Sequence, residues 1–412
     1  MAELLLNNAD WQFKNEVLQK MCTDKQRLDL YNCLTCGMCS AGCPYNGVHD
    51  NSDPRLILRE ISLGLRDKVL NNKLIWTCTM CGRCTVECPM GVDVSTVIRT
   101  LRGNFGLTSP GFLQDVVNAQ INTGNQMEVT KEEYLDTLEW MEEELQAEVG
   151  DPNAKIPVDK EGADFLFLWD PREVKYYPQD IQSIAKIFWY VGANWTCSSQ
   201  WWDATHYGLF NGNDEESTIL MKRIGDEVKR LKVKELVVTE CGHATRAQKW
   251  GPKVWTKDPF YPVKSIIEKY KEWFDEGILH VDPTVNTEPV TLHDPCNMVR
   301  KEDMGEILRY VLKKVVMEFR DMTPSGKYNY CCGGGGGLLA LGKDIQPYRL
   351  AKGKLKADQI TATGCKIVAC PCHNCWDQLT DTIKHFKVDA RLAHLHHLIS
   401  PALILEKRTK GV

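Results

Sequence analysis

Two cysteine runs repeat one spacing. Cys33-x2-Cys36-x2-Cys39-x3-Cys43-Pro44 is followed by Cys78-x2-Cys81-x2-Cys84-x3-Cys88-Pro89. Thiolates are soft ligands that suit iron–sulfur centres. Three of them at x2 spacing wrap one face of a cubane, and the fourth, ahead of proline, crosses to the other cluster. The spacing therefore predicts two cubane [4Fe–4S] clusters. Cys33, Cys36, Cys39 and Cys88 would hold one, and Cys78, Cys81, Cys84 and Cys43 the other. Zinc takes four ligands, commonly from separated C-x2-C pairs, and has no use for a third Cys at x2 or a trailing Cys-Pro. A second pattern lies far downstream: Cys296-x34-Cys331-Cys332-x39-Cys372-x2-Cys375, with glycine at every position from 333 to 337. Adjacent cysteines can serve different irons. Glycines let backbone approach a bulky cluster and offer N–H donors to its sulfurs.

The chain has 412 residues, 18 of them cysteine. Disulfide scaffolds are short secreted chains of higher cysteine density. The opening MAELLLNNADWQF lacks the basic, apolar and cleavage regions of a secretory leader. These thiols are expected to be reduced and the chain cytoplasmic. No apolar run approaches about 18 residues, so no membrane span is expected. With 50 Lys and Arg against 55 Asp and Glu the net charge is −5, which excludes a whole-molecule electrostatic case for nucleic-acid binding. No G-x-G-x-x-G follows a strand and no Walker A run occurs, so neither flavin nor nicotinamide nor ATP is expected.

The cysteines divide the chain. Nine precede residue 90, none lies between Cys88 and Cys197, and nine follow. The segment 1–150 reads as helical. Pro54–Arg66 begins with proline at a helix-starting position, and Thr130–Glu148 carries a Thr130-x-x-Glu133 cap. Polar residues 149–162 read as a linker. From 163 on, strands at 164–169, 235–239, 289–292 and 366–369 alternate with helices at 216–232 and 305–319, the pattern of an α/β unit with parallel pairing. Its order of elements repeats with gaps: 163–285 ends in TECGHA (239–244), and 286–412 in ACPCHNC (369–375). A duplicated half-domain follows.

HDPC (293–296), YCCGGGGG (330–337) and ACPCHNC (369–375) resemble the CCG motif of heterodisulfide reductase subunits. The likeness is greatest to the HdrD-like group typified by DsrK, HmcF and TmcB of membrane redox complexes in sulfate reducers and sulfur oxidisers. The 34 residues between the ferredoxin runs (44–77) add the look of an α-helical ferredoxin. The resemblance implies that Cys296, Cys331, Cys332, Cys372 and Cys375 hold one non-cubane [4Fe–4S] cluster with catalytic duty. The gap after Cys332 is longer than the family's usual one, which leaves Cys370 as an alternative to Cys372. The first half has lost most ligands: Arg172 stands opposite Cys296, and Cys241-x2-Ala244 opposite Cys372-x2-Cys375. Cys197, Cys241 and His243 are either relics or line a cleft between the halves, where Cys241 and His243 are candidates for substrate handling or proton supply.

The implied function is that of a catalytic iron–sulfur subunit, peripheral to the inner face of the cytoplasmic membrane. It would pass electrons between a quinone or cytochrome b-type membrane partner, with further redox subunits, and a thiol/disulfide substrate. That substrate could be a small DsrC-type protein, in sulfur or sulfate metabolism. The alternative is an electron-relay subunit of a flavin-dependent lactate, glycolate or glycerol-3-phosphate oxidoreductase. Cys22 and Cys365 read as structural. Trp189, Trp195, Trp201, Trp202, Trp250 and Trp255 read as core or interface anchors. His394, His396 and His397 lie in RLAHLHHLISPALIL, read as an apolar terminal helix with its histidines at surface and core positions.

Overall fold

A computed structural model describes residues 9–48, 52–257 and 261–408. Short helices carry the first two cysteine runs. Asp53 caps the helix Pro54–Ser62 by accepting from the Arg55 and Leu56 N–H groups at 2.8 and 3.3 Å, with Pro54 in the first turn. That helix does not reach Arg66. Gly64 takes a left-handed φ of 70°, its Cα hydrogens packed on the Asp10 backbone, and a new helix runs Arg66–Leu70. The helix Val94–Asn104 packs Val97, Ile98 and Leu101 against Phe13, Val17, Ile57 and Ile61.

Two parallel sheets follow. β1 (Phe165–Leu168), β2 (Trp195–Thr196), β3 (Glu235–Val238) and β4 (Val263–Ser265) stand in the order β2-β1-β3-β4. β5 (Val290–Leu292), β6 (Ile367–Ala369) and β7 (Arg391–Ala393) stand in the order β5-β6-β7. Apart from Glu235 at the start of β3, the inner strands are apolar because helices cover both faces. One continuous core joins Phe167, Trp169 and Val237 of the first sheet to Val290, Leu292 and Ile367 of the second.

Four expected segments differ. The helix Lys131–Val149, placed by sequence in the first unit, turns Tyr134, Leu138, Met141 and Leu145 into the core of the first sheet, with Tyr134 stacked on Trp202 at 4.2 Å. The stretch after it is stitched down rather than loose. Ala154 and Ile156 are buried, and the Asp159 N–H bonds the Cys197 carbonyl at 2.8 Å. Packing therefore does not divide at 150. The helix from Gly305 stops at Val315, because the chain turns to form an isolated parallel bridge between Phe319 and Val290. The segment read as a terminal helix is instead strand β7, a short helix Leu395–Ile399 and a turn at Ser400–Ala402. An apolar run that short fits strand or helix equally, and the open edge of β6 selects strand.

Arg102 joins three parts. Fully buried, it donates to the Ile75 carbonyl at 2.6 Å, to Phe210 at 2.8 Å and to Gly336 at 2.7 Å. Arg102→Leu leaves these buried acceptors without donors, at roughly 1–3 kcal/mol each. A denaturant titration is expected to show a loss of about 3 kcal/mol or more; unchanged stability would show that the carbonyls are satisfied otherwise.

Candidate functional site

The functional cysteines sit where chain geometry leaves the carboxyl ends of parallel strands, the usual place for ligands in such sheets. β5 leads through His293-Asp294-Pro295 to Cys296, which opens the helix Cys296–Val299. β6 leads to Cys372, the N-cap of the helix His373–Phe386. β3 leads to Cys241, the N-cap of the helix Gly242–Gly251. A sulfur at a helix N-terminus meets unpaired N–H groups and the positive end of the dipole, which favours thiolate. Asp294 explains its place in the HDPC string. Its carboxylate takes both terminal nitrogens of Arg309 at 2.9 Å and the Gly326 N–H at 2.7 Å, which anchors the loop carrying Cys296.

The runs gather into two groups. Cys33, Cys36, Cys39 and Cys88 lie close enough to influence one another's charge. Cys43 does the same with Cys78, Cys81 and Cys84, and these four line one cavity with Tyr45 and Lys352. Backbone N–H groups point at sulfur in both groups: Met80 to Cys78 Sγ and Val92 to Cys88 Sγ, each at 3.3 Å.

The downstream cysteines form a third group, buried together with Cys81. Cys81 reaches Cys331, which also meets Cys296 and Cys332. Cys332 reaches Cys375, and Cys375 reaches Cys372. Cys372 in turn meets Cys241. The Cys241 thiol, followed by that of Cys375, holds Cys372 well below the usual thiol range, while burial pushes Cys241 well up. Cys370 turns back on its own loop, its thiol 3.7 Å from the Cys372 carbonyl. His243 Nδ1 lies 3.4 Å from Cys241 Sγ, and burial pushes that imidazole down to about 4, so it is neutral. Cys197 is elsewhere, in the core against Tyr134, Trp169 and the Pro157 carbonyl. Cys22 is half-buried beside Arg99 and Asp214, and Cys365 is buried with its thiol toward the Thr363 carbonyl.

The glycine run serves two surfaces. Gly333 and Gly334 aim N–H groups at Cys331 and Cys332 sulfurs, each at 3.5 Å. A Cβ on Gly335 or Gly336 would strike the Thr79 or Cys78 carbonyl, so these two let the upstream cysteine loop close on the downstream site. His293, passed over in the sequence, lies with Cys332 and Cys375 in one group of ligand-type atoms within 4.8 Å. Burial pushes it down to about 3, and neither ring nitrogen has a partner among the described residues. Its signal was present in HDPC, where only the cysteine drew notice. These sets of converging sulfurs, with donors aimed at them, fit iron–sulfur centres: thiolate ligands plus N–H groups for the remaining sulfur lone pairs.

Residues 32–93 match the family of 4Fe–4S dicluster domains, and residues 290–380 the cysteine-rich CCG domain. The chain is similar to an Hdr-like menaquinol oxidoreductase iron–sulfur subunit of Archaeoglobus profundus, 25% identical across 95% of this chain and 82% of that one. It is also similar to a dihydromethanophenazine:CoB–CoM heterodisulfide reductase subunit of Methanosarcina mazei, 23% identical across 94% of this chain and 98% of that one. A second such menaquinol oxidoreductase subunit, from Archaeoglobus fulgidus, is 25% identical across 79% of this chain and 70% of that one. The chain carries a 4Fe–4S dicluster domain and a cysteine-rich CCG domain and is similar to HdrD-like subunits. A ferredoxin-like 4Fe–4S domain thus precedes a CCG domain, as the motifs imply.

No described helix is long and apolar enough to cross a membrane. Cations surround the sulfur contact. Lys352 donates to the Thr77 carbonyl, lies over the Tyr45 ring, and feels Cys78, Cys43, Cys331 and Cys81. The Tyr45 hydroxyl donates to the Cys331 carbonyl at 3.0 Å, and Arg300 to that of Cys81 at 3.2 Å. A cation beside an iron–sulfur centre favours its reduced form. Lys352→Met is expected to lower a midpoint potential by tens of millivolts in an EPR-monitored redox titration; unchanged potentials would remove Lys352 from electrostatic contact with the centres.

Proposed function

We propose that this chain is the catalytic iron–sulfur subunit of a membrane-associated respiratory complex. It exchanges electrons between a quinone- or cytochrome b-linked partner and a thiol/disulfide substrate on the cytoplasmic face. The observation that carries this reading is the unbroken series of sulfur contacts from Cys81 through Cys331, Cys332, Cys375 and Cys372 to Cys241. One end belongs to the dicluster domain, and the other lies on the half of the chain that has lost its ligands.

In this reading Cys33, Cys36, Cys39 and Cys88 hold one cubane, and Cys43, Cys78, Cys81 and Cys84 the other. Cys296, Cys331, Cys332, Cys372 and Cys375 hold a non-cubane cluster. The turning of Cys370 onto its own loop supports Cys372 in that set. The two sheets are the two halves of a duplication, supported by Cys241 and Cys372 each capping the helix after an inner strand. Bound clusters supply one-electron steps at low reorganisation cost.

The chain's own residues handle the protons. Reducing a disulfide to two thiols takes two electrons and two protons. Cys241 keeps its proton because burial raises its pKa, and it stands at the end of the sulfur series. His243 stays neutral beside it, its Nδ1 placed to accept the thiol proton and its Nε2 without a partner among the described residues. Arg172 occupies the place of a lost ligand, held by Asp377 at 2.7 Å and Asp170 at 3.2 Å. A fixed positive charge there favours an incoming anionic thiolate. Relatives named as menaquinol oxidoreductase and heterodisulfide reductase subunits support the two ends of this path. A DsrC-type protein is the substrate this reading favours within sulfur metabolism.

The test is EPR of anaerobically oxidised protein with and without thiol or disulfide. A paramagnetic signal that responds to the thiol is expected. Cys332→Ser is expected to lose about a third of the iron and that signal, with the dicluster signals kept. Cys241→Ser is expected to keep its iron and lose disulfide turnover at least tenfold, about 1.4 kcal/mol. A spectrum indifferent to thiols, with tight copurification of a flavoprotein, would replace this reading by electron relay.

A further inference from the structure

One residue beyond Cys372 begins a second polar cluster, built by both sheets. Asp170, Glu173 and Asp180 come from the connection after β1, and Glu240 follows β3; all four are at most 4% exposed. Against them stand His373, His394 and His396, each at most 1% exposed, and the half-buried His397. The fixed cation here is Arg172, which is already shared with Asp377. Buried carboxylates without compensating charge cost several kcal/mol each. The cluster therefore holds balancing positive charge, as protons on imidazole or carboxyl groups (burial pushes Glu173 up to about 7) or as a metal ion.

Hydrogen bonding distinguishes inner from outer groups. His397 Nδ1 accepts the His394 backbone N–H at 3.2 Å, so its proton sits on Nε2 and is donated to Asp180 Oδ1 at 2.7 Å. That bond orients Asp180 and leaves Oδ2 toward His373 Nε2, 3.8 Å away. Glu240 is held by the Leu395 and His396 N–H groups, each at 2.8 Å, and pairs with His396 Nδ1 at 3.0 Å. Both ring nitrogens of His373, Nδ1 of His394 and Nε2 of His396 have no hydrogen-bond partner among the described residues, though each histidine faces a carboxylate: His373 Nε2 lies 3.4 Å from Glu173, His394 Nδ1 3.6 Å from Glu240 and His396 Nε2 3.4 Å from Asp180. One ligand atom each from Asp180, His373 and His394 lie within 4.8 Å of one another. The 3.8 Å between His373 Nε2 and Asp180 Oδ2 exceeds a hydrogen bond but suits two ligands of a shared ion with bonds of about 2.0–2.2 Å. A carboxylate-supported histidine beside them is the usual outer support of a metal ligand.

We propose that Asp180, His373 and His394 bind one zinc ion, which clamps the two sheets together beside the sulfur site. Imidazole and carboxylate suit zinc, with the fourth position open to water or Glu173. His396, His397 and Glu240 are positioning residues.

The test uses the full chain, purified anaerobically with its iron intact from zinc-supplemented medium. Elemental analysis is expected to find about one zinc per chain. Asp180→Ala and His394→Ala are expected to lower zinc at least tenfold while iron content and dicluster EPR stay. Zinc-edge X-ray absorption on the unaltered protein keeps the proposal falsifiable if the variants misfold. Nitrogen and oxygen scatterers at about 2.0–2.1 Å are expected, and sulfur at about 2.3 Å would place the zinc on cysteines instead. Zinc-free protein with intact iron, or zinc retained in both variants, would overturn the proposal and leave protons as the balancing charge.

Discussion

Everything in this molecule depends on a close approach between two loops. The loop of Cys78–Cys81 meets the glycine run after Cys332, and a single Cβ on Gly335 or Gly336 would hold them apart. Glycine satisfies that constraint at the expense of backbone entropy, so the loops need other ties. Arg102 supplies one by holding Ile75, Phe210 and Gly336 carbonyls together. Lys352 supplies another by reaching the Thr77 carbonyl. Both are cations buried in a sulfur-rich region, where desolvation would be unfavourable without nearby negative charge. Thiolate-bound centres provide such charge, so architecture and chemistry reinforce each other.

The unit built on the first sheet is fully employed. Its sheet shares a core with the second sheet, and Cys241 and Gly242 press directly on the Cys372 loop: a Cβ on Gly242 would sit 3.4 Å from Cys372 Sγ. Arg172, through Asp377, and His243, beside Cys241, border the same loop. The aromatic crowd of this unit packs edge to face around Trp195 and stacks Tyr134 on Trp202. That packing draws the long acidic helix onto the sheet and moves the apparent domain boundary. Helix identity was legible from the Thr130 cap and the spacing of apolar residues. Its partner was not, since an amphipathic face states only that something covers it.

Histidine was the least legible residue type. His394, His396 and His397 do not fit a helical period because their segment begins as a strand and only then turns into a short helix. Their carboxylate partners lie more than 150 residues away along the chain, at Asp180 and Glu240. His293 escaped notice for a related reason: a lone imidazole ahead of Asp-Pro-Cys carries no spacing signal, and its meaning comes from facing Cys332 and Cys375.

By itself the sequence determined what is local. Thiols two residues apart, a cysteine before proline, glycines after paired cysteines and alternating strands and helices specify iron–sulfur loops in a ferredoxin-like domain and a CCG domain. Such spacings act through a few covalent bonds, so no distant contact can hide them. The tertiary structure decided which sulfurs meet: Cys81 with Cys331, and Cys372 with Cys241. It also decided that four histidines and four carboxylates share one buried site. These contacts join segments 131 to 250 positions apart, brought together by the burial of apolar sheet faces and the backbone approaches that glycine permits. Both are properties of the packed chain rather than of any stretch of it.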